Sequence, residues 1–160
     1  LCKRTLFFEL GGFDELYTPY AWEDLDLGYR AWKRGYRIRY EPQAVCYHKR
    51  EATTRSVFSN FFFITLMWRN KFFFMWKNIT YGPFMADHLL RLPWKLFKFL
   101  CNGRWRYVVG FMRACISLPR VLVRRYRERA YARYSDAVVL GESYKPIVDE
   151  VPNNGEVTCR

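Results

Sequence analysis

The sequence predicts an α/β piece followed by a mostly α-helical, basic amphipathic module. Three observations predict it. The first fifty residues alternate helix-like and strand-like patterning around glycine turns. Residues 55–134 carry aromatic-rich apolar runs crossed by evenly spaced cations. Charge divides the same way: net +2 over residues 1–50 (nine basic, seven acidic), +13 over 51–134 (sixteen against three) and −3 over 135–160 (two against five).

In chain order, Lys3–Leu10 has helical character and stops at Gly11-Gly12, a pair that permits backbone conformations closed to other residues. After Phe13-Asp14-Glu15 and a loop holding Pro19, the segment from Trp22 to Gly35 reads as a second helix. Leu25, Gly28, Tyr29 and Trp32 make its expected inner face. Acids fill its first turn and bases its last, in keeping with the helix dipole, and Gly35 ends it. Tyr36–Tyr40 alternates aromatic or aliphatic residues with Arg37 and Arg39, the pattern of a half-buried strand. Glu41-Pro42 turns the chain, and Val45–His48 is a second short extended piece.

The basic block reads as helices lying on a surface. From Trp105 to Arg127 the residues Arg106, Gly110, Arg113, Ser117, Arg120, Arg124 and Arg127 recur at spacings of four and three, one stripe of a helix. Pro119 kinks or splits that helix. Arg91, Lys95, Lys98 and Asn102 form a similar line upstream, and earlier aromatic runs are interrupted by Arg69-Asn70-Lys71. None of these runs reaches the ~20 uninterrupted apolar residues needed to cross a bilayer. Cations every turn, with Trp and Phe beside them, suit a helix seated in the headgroup region of an anionic leaflet. Plain packing on the domain, or single-strand nucleic-acid binding, are the competing explanations. The aromatics share faces with Leu and Val, which favours the membrane and argues against nucleic acid.

Residues 135–160, with Gly141, Pro146, Pro152 and Asn153-Asn154-Gly155, read as a flexible acidic tail. The expected divisions are therefore 1–54, 55–134 and 135–160. At 160 residues there is room for one domain or half of a larger one, and the start at Leu1 leads us to expect a missing N-terminal portion. Hydrophobic residues at 51% and aromatics at 20% exclude wholesale disorder, and nine Gly, seven Pro and five Cys exclude collagenous and disulfide scaffolds. The five cysteines are scattered and odd in number, as expected for small buried hydrophobes in a reducing, cytosol-facing setting. Asn78-Ile79-Thr80 matches a glycosylation sequon by chance.

Any chemistry lies in the first fifty residues. Glu23 and Asp24 open a helix just after a loop, where the positive helix end favours negative charge and the loop leaves an approach for substrate. A carboxylate held there can take a proton from a hydroxyl as its oxygen attacks an electrophilic carbon. The alternative is that Glu23, Asp24 and Asp26 merely complement the dipole, with Asp26 paired to Arg30 one turn on.

The order of signals bears on that choice. Gly11-Gly12-Phe13-Asp14-Glu15, then Pro19-Tyr20-Ala21-Trp22-Glu23-Asp24-Leu25-Asp26-Leu27-Gly28-Tyr29-Arg30-Ala31, then Arg34-Gly35-Tyr36, Pro42 and His48, resembles the family 2 glycosyltransferases of GT-A fold. The resemblance is close over residues 3–50 and only compositional for the later helices. It implies the C-terminal, acceptor-side part of a GT-A (nucleotide-diphospho-sugar transferase) half-domain, followed by membrane-associating helices. It also implies inverting transfer of a sugar from a nucleotide-sugar to an acceptor hydroxyl, in polysaccharide or glycolipid synthesis at a membrane surface.

Under this resemblance Asp24 is the general base, and Glu23 binds the acceptor or braces the loop. Gly11, Gly12 and Phe13 border the substrate pocket, with Trp22 and Asp26 counted among its binding residues. His48 is the candidate ligand to a divalent cation, Mg2+ or Mn2+, whose main ligands are expected outside this chain, since one imidazole is a weak site for either ion. Nothing stands in for the family's Asp-x-Asp element, since Asp24-Leu25-Asp26 has its letters but occupies the place of the acceptor-side acids, and a phosphate-cradling glycine loop is absent. Little or no transfer by the chain alone is therefore expected. Expected partners are a nucleotide-sugar donor, a hydroxyl acceptor that a lipid could carry, and the cytoplasmic face of an anionic membrane, bound peripherally. The base role requires a hollow in front of Asp24; a side chain set against solvent with no hollow before it ends that proposal. A non-catalytic membrane-surface adaptor is the principal rival.

Overall fold

The computed structural model describes residues 2–39, 41–45 and 59–143. Seven α-helices occupy the described residues: α1 Arg4–Glu9, α2 Glu23–Lys33, α3 Asn60–Asn78, α4 Gly82–Cys101, α5 Trp105–Ile116, α6 Leu118–Tyr131 and α7 Asp136–Ser143, with a short 3-10 helix at Glu15–Tyr17. Among these residues there is no strand, which overturns the expected α/β class and its GT-A half-domain. Alternation shows that a segment would fit a pleat, but a strand exists only where a neighbour pairs with it. Residues 36–39 find none: the Tyr36 N–H bonds back to the Ala31 carbonyl at 3.0 Å, and Ile38 is half exposed. Of the second expected strand only Val45 is described, and it is exposed, without regular structure.

Local signals set most helix ends. Gly11, Gly12 and Gly35 take φ of +81°, +66° and +92° just past α1 and α2, the left-handed geometry that terminates a helix cheaply only with glycine. Ser59 accepts the Phe62 N–H at 3.2 Å to cap α3. Pro83 and Pro119 stand in the first turns of α4 and α6, so the basic stripe is indeed split, at Ser117.

The aromatic helix α3 is the centre. α5 and α6 pack along it, α4 leans on α5, and α2 and the 3-10 helix close from the other side. Tyr17, Phe72, Phe73, Trp76, Leu92, Tyr107, Ala114 and Val121 form the main core. At Gly110 α5 comes so close to α3 that an added Cβ would lie 2.6 Å from the Trp68 Cβ and 2.9 Å from the Thr65 carbonyl oxygen. At Gly110 the stripe of the sequence therefore turns toward α3. Gly110 and Ala114 are buried, while Met112 and Ile116 are exposed.

Three further expectations are corrected. The inner face of α2 is Asp26, Tyr29, Arg30 and Lys33, and Leu25 is exposed. The start of the acidic tail is ordered, because buried Asp136 accepts the Thr80 and Tyr81 N–H groups at 2.6 Å each, caps α4 and pairs with Lys33 at 2.9 Å. Cys2 and Cys101 are exposed rather than buried; Cys115 is half-buried. Residues 144–160, the 54/55 boundary, Cys46, Cys159 and His48 lie outside the described residues.

Candidate functional site

The segment between α1 and α2 is shaped by groups reaching in from α2 and α3. Arg30 donates to the Leu10 carbonyl and, at 2.7 Å, to the Gly12 carbonyl, so the glycine turn is tied to α2. Asn70 donates through Nδ2 to the carbonyls of Tyr17, Tyr20 and Ala21 at 3.1, 2.8 and 2.9 Å. Its neighbour Arg69 donates to the Thr18 carbonyl at 2.7 Å. These bonds hold a strained corner. Ala21 and Trp22 both take positive φ, +75° and +77°, a conformation costly for residues with a Cβ. Trp22 is the N-cap residue of α2, with its ring against Phe74.

Beneath this corner lies a buried ionic cluster centred on Asp26. Lys77 Nζ donates to both Asp26 oxygens at 2.8 Å, Arg30 Nε to Oδ2 at 2.8 Å, Tyr17 Oη to Oδ1 at 2.8 Å and Asn78 Nδ2 to Oδ1 at 2.7 Å. Lys77 also reaches Asp14 at 2.7 Å. Burial opposes ionisation of Asp14, but Lys77, the Leu16 N–H and Arg124 outweigh it and hold the carboxyl below its ordinary value. Burial, helped by the charge of Asp26, pushes the Tyr17 hydroxyl far up, so it stays a donor. Asp26 thus positions the helix start and is closed to substrate. Asn78, the sequon residue, is buried in the same cluster.

In front of the corner is a hollow of about 190 Å³, where Phe13, Asp14, Tyr17, Pro19, Tyr20 and Glu23 are among the lining residues. Glu23 Oε2 is buried there with no hydrogen-bond partner among the described residues. A buried carboxylate oxygen left unpaired is costly unless a ligand or water meets it. Of the expected site residues, Glu23 and Phe13 line the hollow. Gly11 and Gly12 form the turn behind it, Trp22 packs inward and Asp26 lies beneath. Asp24 is exposed; its Oδ1 accepts the Leu25 N–H at 2.7 Å, and it is not among the residues lining the hollow.

A metal does not fit the donor set. Asp26 and Asp14 are already saturated by cationic side chains, and among the described residues no group of three His, Cys, Asp or Glu could hold an ion. Asn70, Arg69 and Lys77 are the positioning residues that sequence reasoning missed. Their signal was the polar break Arg69-Asn70-Lys71 and the lone Lys77 in an otherwise aromatic helix.

No protein-family model matches the chain, and no solved structure matches it. A stretch of 56 residues, 34% of the chain, is 46% identical to N-acetylglucosaminyl-diphospho-decaprenol L-rhamnosyltransferase from two strains of Mycobacterium tuberculosis. The likeness is to a glycosyltransferase. It reaches 18% of that rhamnosyltransferase's length, so the chain spans under a fifth of the curated relatives it matches. At the level of sugar transfer it agrees with the resemblance seen in the acidic string; it carries no statement about fold.

Proposed function

We propose that this chain is the acceptor-side part of an inverting, family 2-type glycosyltransferase, seated peripherally on the cytoplasmic face of a membrane. It moves a sugar from a nucleotide-sugar to a hydroxyl of a lipid-linked acceptor. The likeness over 56 residues to the rhamnosyltransferase carries this reading; that enzyme's name specifies a lipid-linked diphosphate acceptor.

Asp24 takes the acceptor's proton as the oxygen attacks the anomeric carbon, and the nucleoside diphosphate leaves from the opposite side, inverting configuration. Glu23, in the wall of the hollow, hydrogen-bonds the acceptor's hydroxyls. Among the described residues Asp24 is exposed with no hollow before it, so these residues alone do not supply the base. The reading therefore needs a donor-bearing surface outside these residues, which also holds any divalent cation, and the chain by itself transfers little or nothing.

The seat is the outer face of α4. Leu90, Trp94 and Phe97, at 81%, 65% and 58% exposure, fall at i, i+4 and i+7 on one line of the helix, with Arg91, Lys95 and Lys98 beside them. Apolar side chains that large are costly in water and suit the acyl boundary, while the cations suit anionic headgroups. No described helix is long and apolar enough to cross a membrane.

The test is made in the organism's own membranes. Labelled sugar from nucleotide-sugars is followed into the lipid extract, with the gene intact and with it deleted. Loss of one labelled glycolipid on deletion supports the proposal. An unchanged lipid profile, with the protein still floating with vesicles, favours the adaptor instead.

A further inference from the structure

Beside the hollow at Glu23 lies a larger one of about 490 Å³, and its lining is dominated by arginine. Arg69 comes from α3, and Arg120, Arg124 and Arg127 from one face of α6, with the hydroxyl residues Thr18 and Ser117 between them. Glu15 is the acid in its wall. Asp14 stands 3.7 Å from Arg124 but is already bound by Lys77. Neither Arg120 nor Arg127 has a hydrogen-bond or ion-pair partner among the described residues. Clustered cations without partners repel one another, and a concave wall focuses their field. Arg69 is pushed down to about 10 by burial and by the charge of Arg113, yet remains a cation at neutral pH.

We propose that this arginine hollow binds a diphosphate. Guanidinium groups present paired donors that match phosphate oxygens two at a time. Arg120, Arg124 and Arg127 are spread along about 10 Å of helix rise, a row along which each of two linked phosphates can take its own guanidinium partner. Glu15 and Thr18 line both hollows, so a diphosphate held here lies next to the pocket in which Glu23 meets the acceptor. The site deepens the transfer reading and rests on it for the source of the diphosphate, which is either the lipid-linked acceptor or the nucleotide-sugar donor.

The test titrates the full chain with inorganic pyrophosphate and with orthophosphate, following heat of binding and thermal unfolding. Pyrophosphate is expected to bind saturably and about tenfold or more tighter than orthophosphate. The pair Arg120→Gln with Arg127→Gln should weaken it by about tenfold or more, since each lost charge-assisted pair is a strong contact. Both side chains are exposed and unpartnered, so the double variant keeps the wild-type circular dichroism and unfolding temperature in the absence of ligand. Arg37→Gln, exposed in the segment after α2 and outside both hollows, serves as the charge control and should change nothing.

Two further arms find the source. Neutral phosphatidylcholine vesicles carrying a polyprenyl diphosphate are compared with vesicles carrying the polyprenol, and uridine diphosphate is tested as a competitor of pyrophosphate. Pyrophosphate-sensitive binding to the first vesicles assigns the site to the acceptor; displacement by uridine diphosphate alone assigns it to the donor, and either supports a diphosphate site. Absence of saturable pyrophosphate binding, or equal weakening by Arg37→Gln, overturns it. Binding through these arginines with an unchanged lipid profile on gene deletion keeps the site and removes the transfer reading. A lost glycolipid without pyrophosphate binding does the reverse.

Discussion

Lys77 holds its ammonium 2.8 Å from both carboxylate oxygens of Asp26, and both side chains are wholly buried. This pair joins the helix that begins with Glu23 and Asp24 to the aromatic helix at the centre of the core. A buried pair contributes little net stability over apolar residues of the same shape, but removing one partner strands the other charge. Lys77→Met should therefore cost about 3–5 kcal/mol, measured by denaturant unfolding. Adding Asp14→Asn should recover part of the loss, because Asp14 keeps only Arg124, at 3.7 Å, as a charged partner once Lys77 is gone, whereas Asp26 keeps Arg30.

Asn70 bonds three carbonyls of the strained corner from a fully buried position. Asn70→Ala leaves at least one of them buried and unpaired, for a loss of about 1–3 kcal/mol. Hydrogen exchange should show residues 17–22 opening in that variant before the core does.

The approach of α5 to α3 leaves no room at Gly110. Alanine is the better helix former, yet Gly110→Ala should destabilise by about 1–3 kcal/mol, because its methyl meets Trp68 and the Thr65 carbonyl. At Gly141, where no atom lies within 4 Å, the same change should not destabilise. The comparison of unfolding temperatures checks both.

Much of this architecture was legible because its signals are local. Gly11-Gly12 and Gly35 ended their helices where expected, and Pro119 divided the basic stripe. What failed was non-local. Tyr36–Tyr40 carried the alternation of a strand, but alternation does not supply a partner. The burial of Asp26 depends on Lys77 and Asn78, about fifty residues away, so spacing within α2 favoured Leu25 as the inner residue instead. The sequence marked the acids that open α2; which of them the fold spends on its own cohesion depended on cations in another helix.

Acid should loosen the ionic clusters in a defined window. Asp14 and Asp136 have folded values below the ordinary 3.8, each because its cationic and hydrogen-bond partners outweigh burial. Their contribution is complete above that value and is lost as pH falls through the lower folded values. Stability should hold down to about pH 4 and fall steeply below it. Asp14→Asn should flatten that fall in a series of unfolding curves.

The outer face of α4 predicts binding to anionic vesicles that weakens with salt. Leu90→Glu with Trp94→Glu should abolish flotation without changing the fold, since both side chains are exposed. Equal flotation of this variant would remove α4 as the seat.

The central claim is that the acid pair opening α2 acts on an acceptor hydroxyl. The direct measurement is the steady-state kinetics of sugar transfer to the lipid acceptor, in membranes bearing the protein from its own genomic reading frame, as wild type, Asp24→Asn and Glu23→Gln. The account predicts that Asp24→Asn lowers kcat by roughly 10²–10⁴-fold with KM little changed, as removal of a general base does. Glu23→Gln should mainly raise the acceptor KM. Full kcat in Asp24→Asn would contradict it.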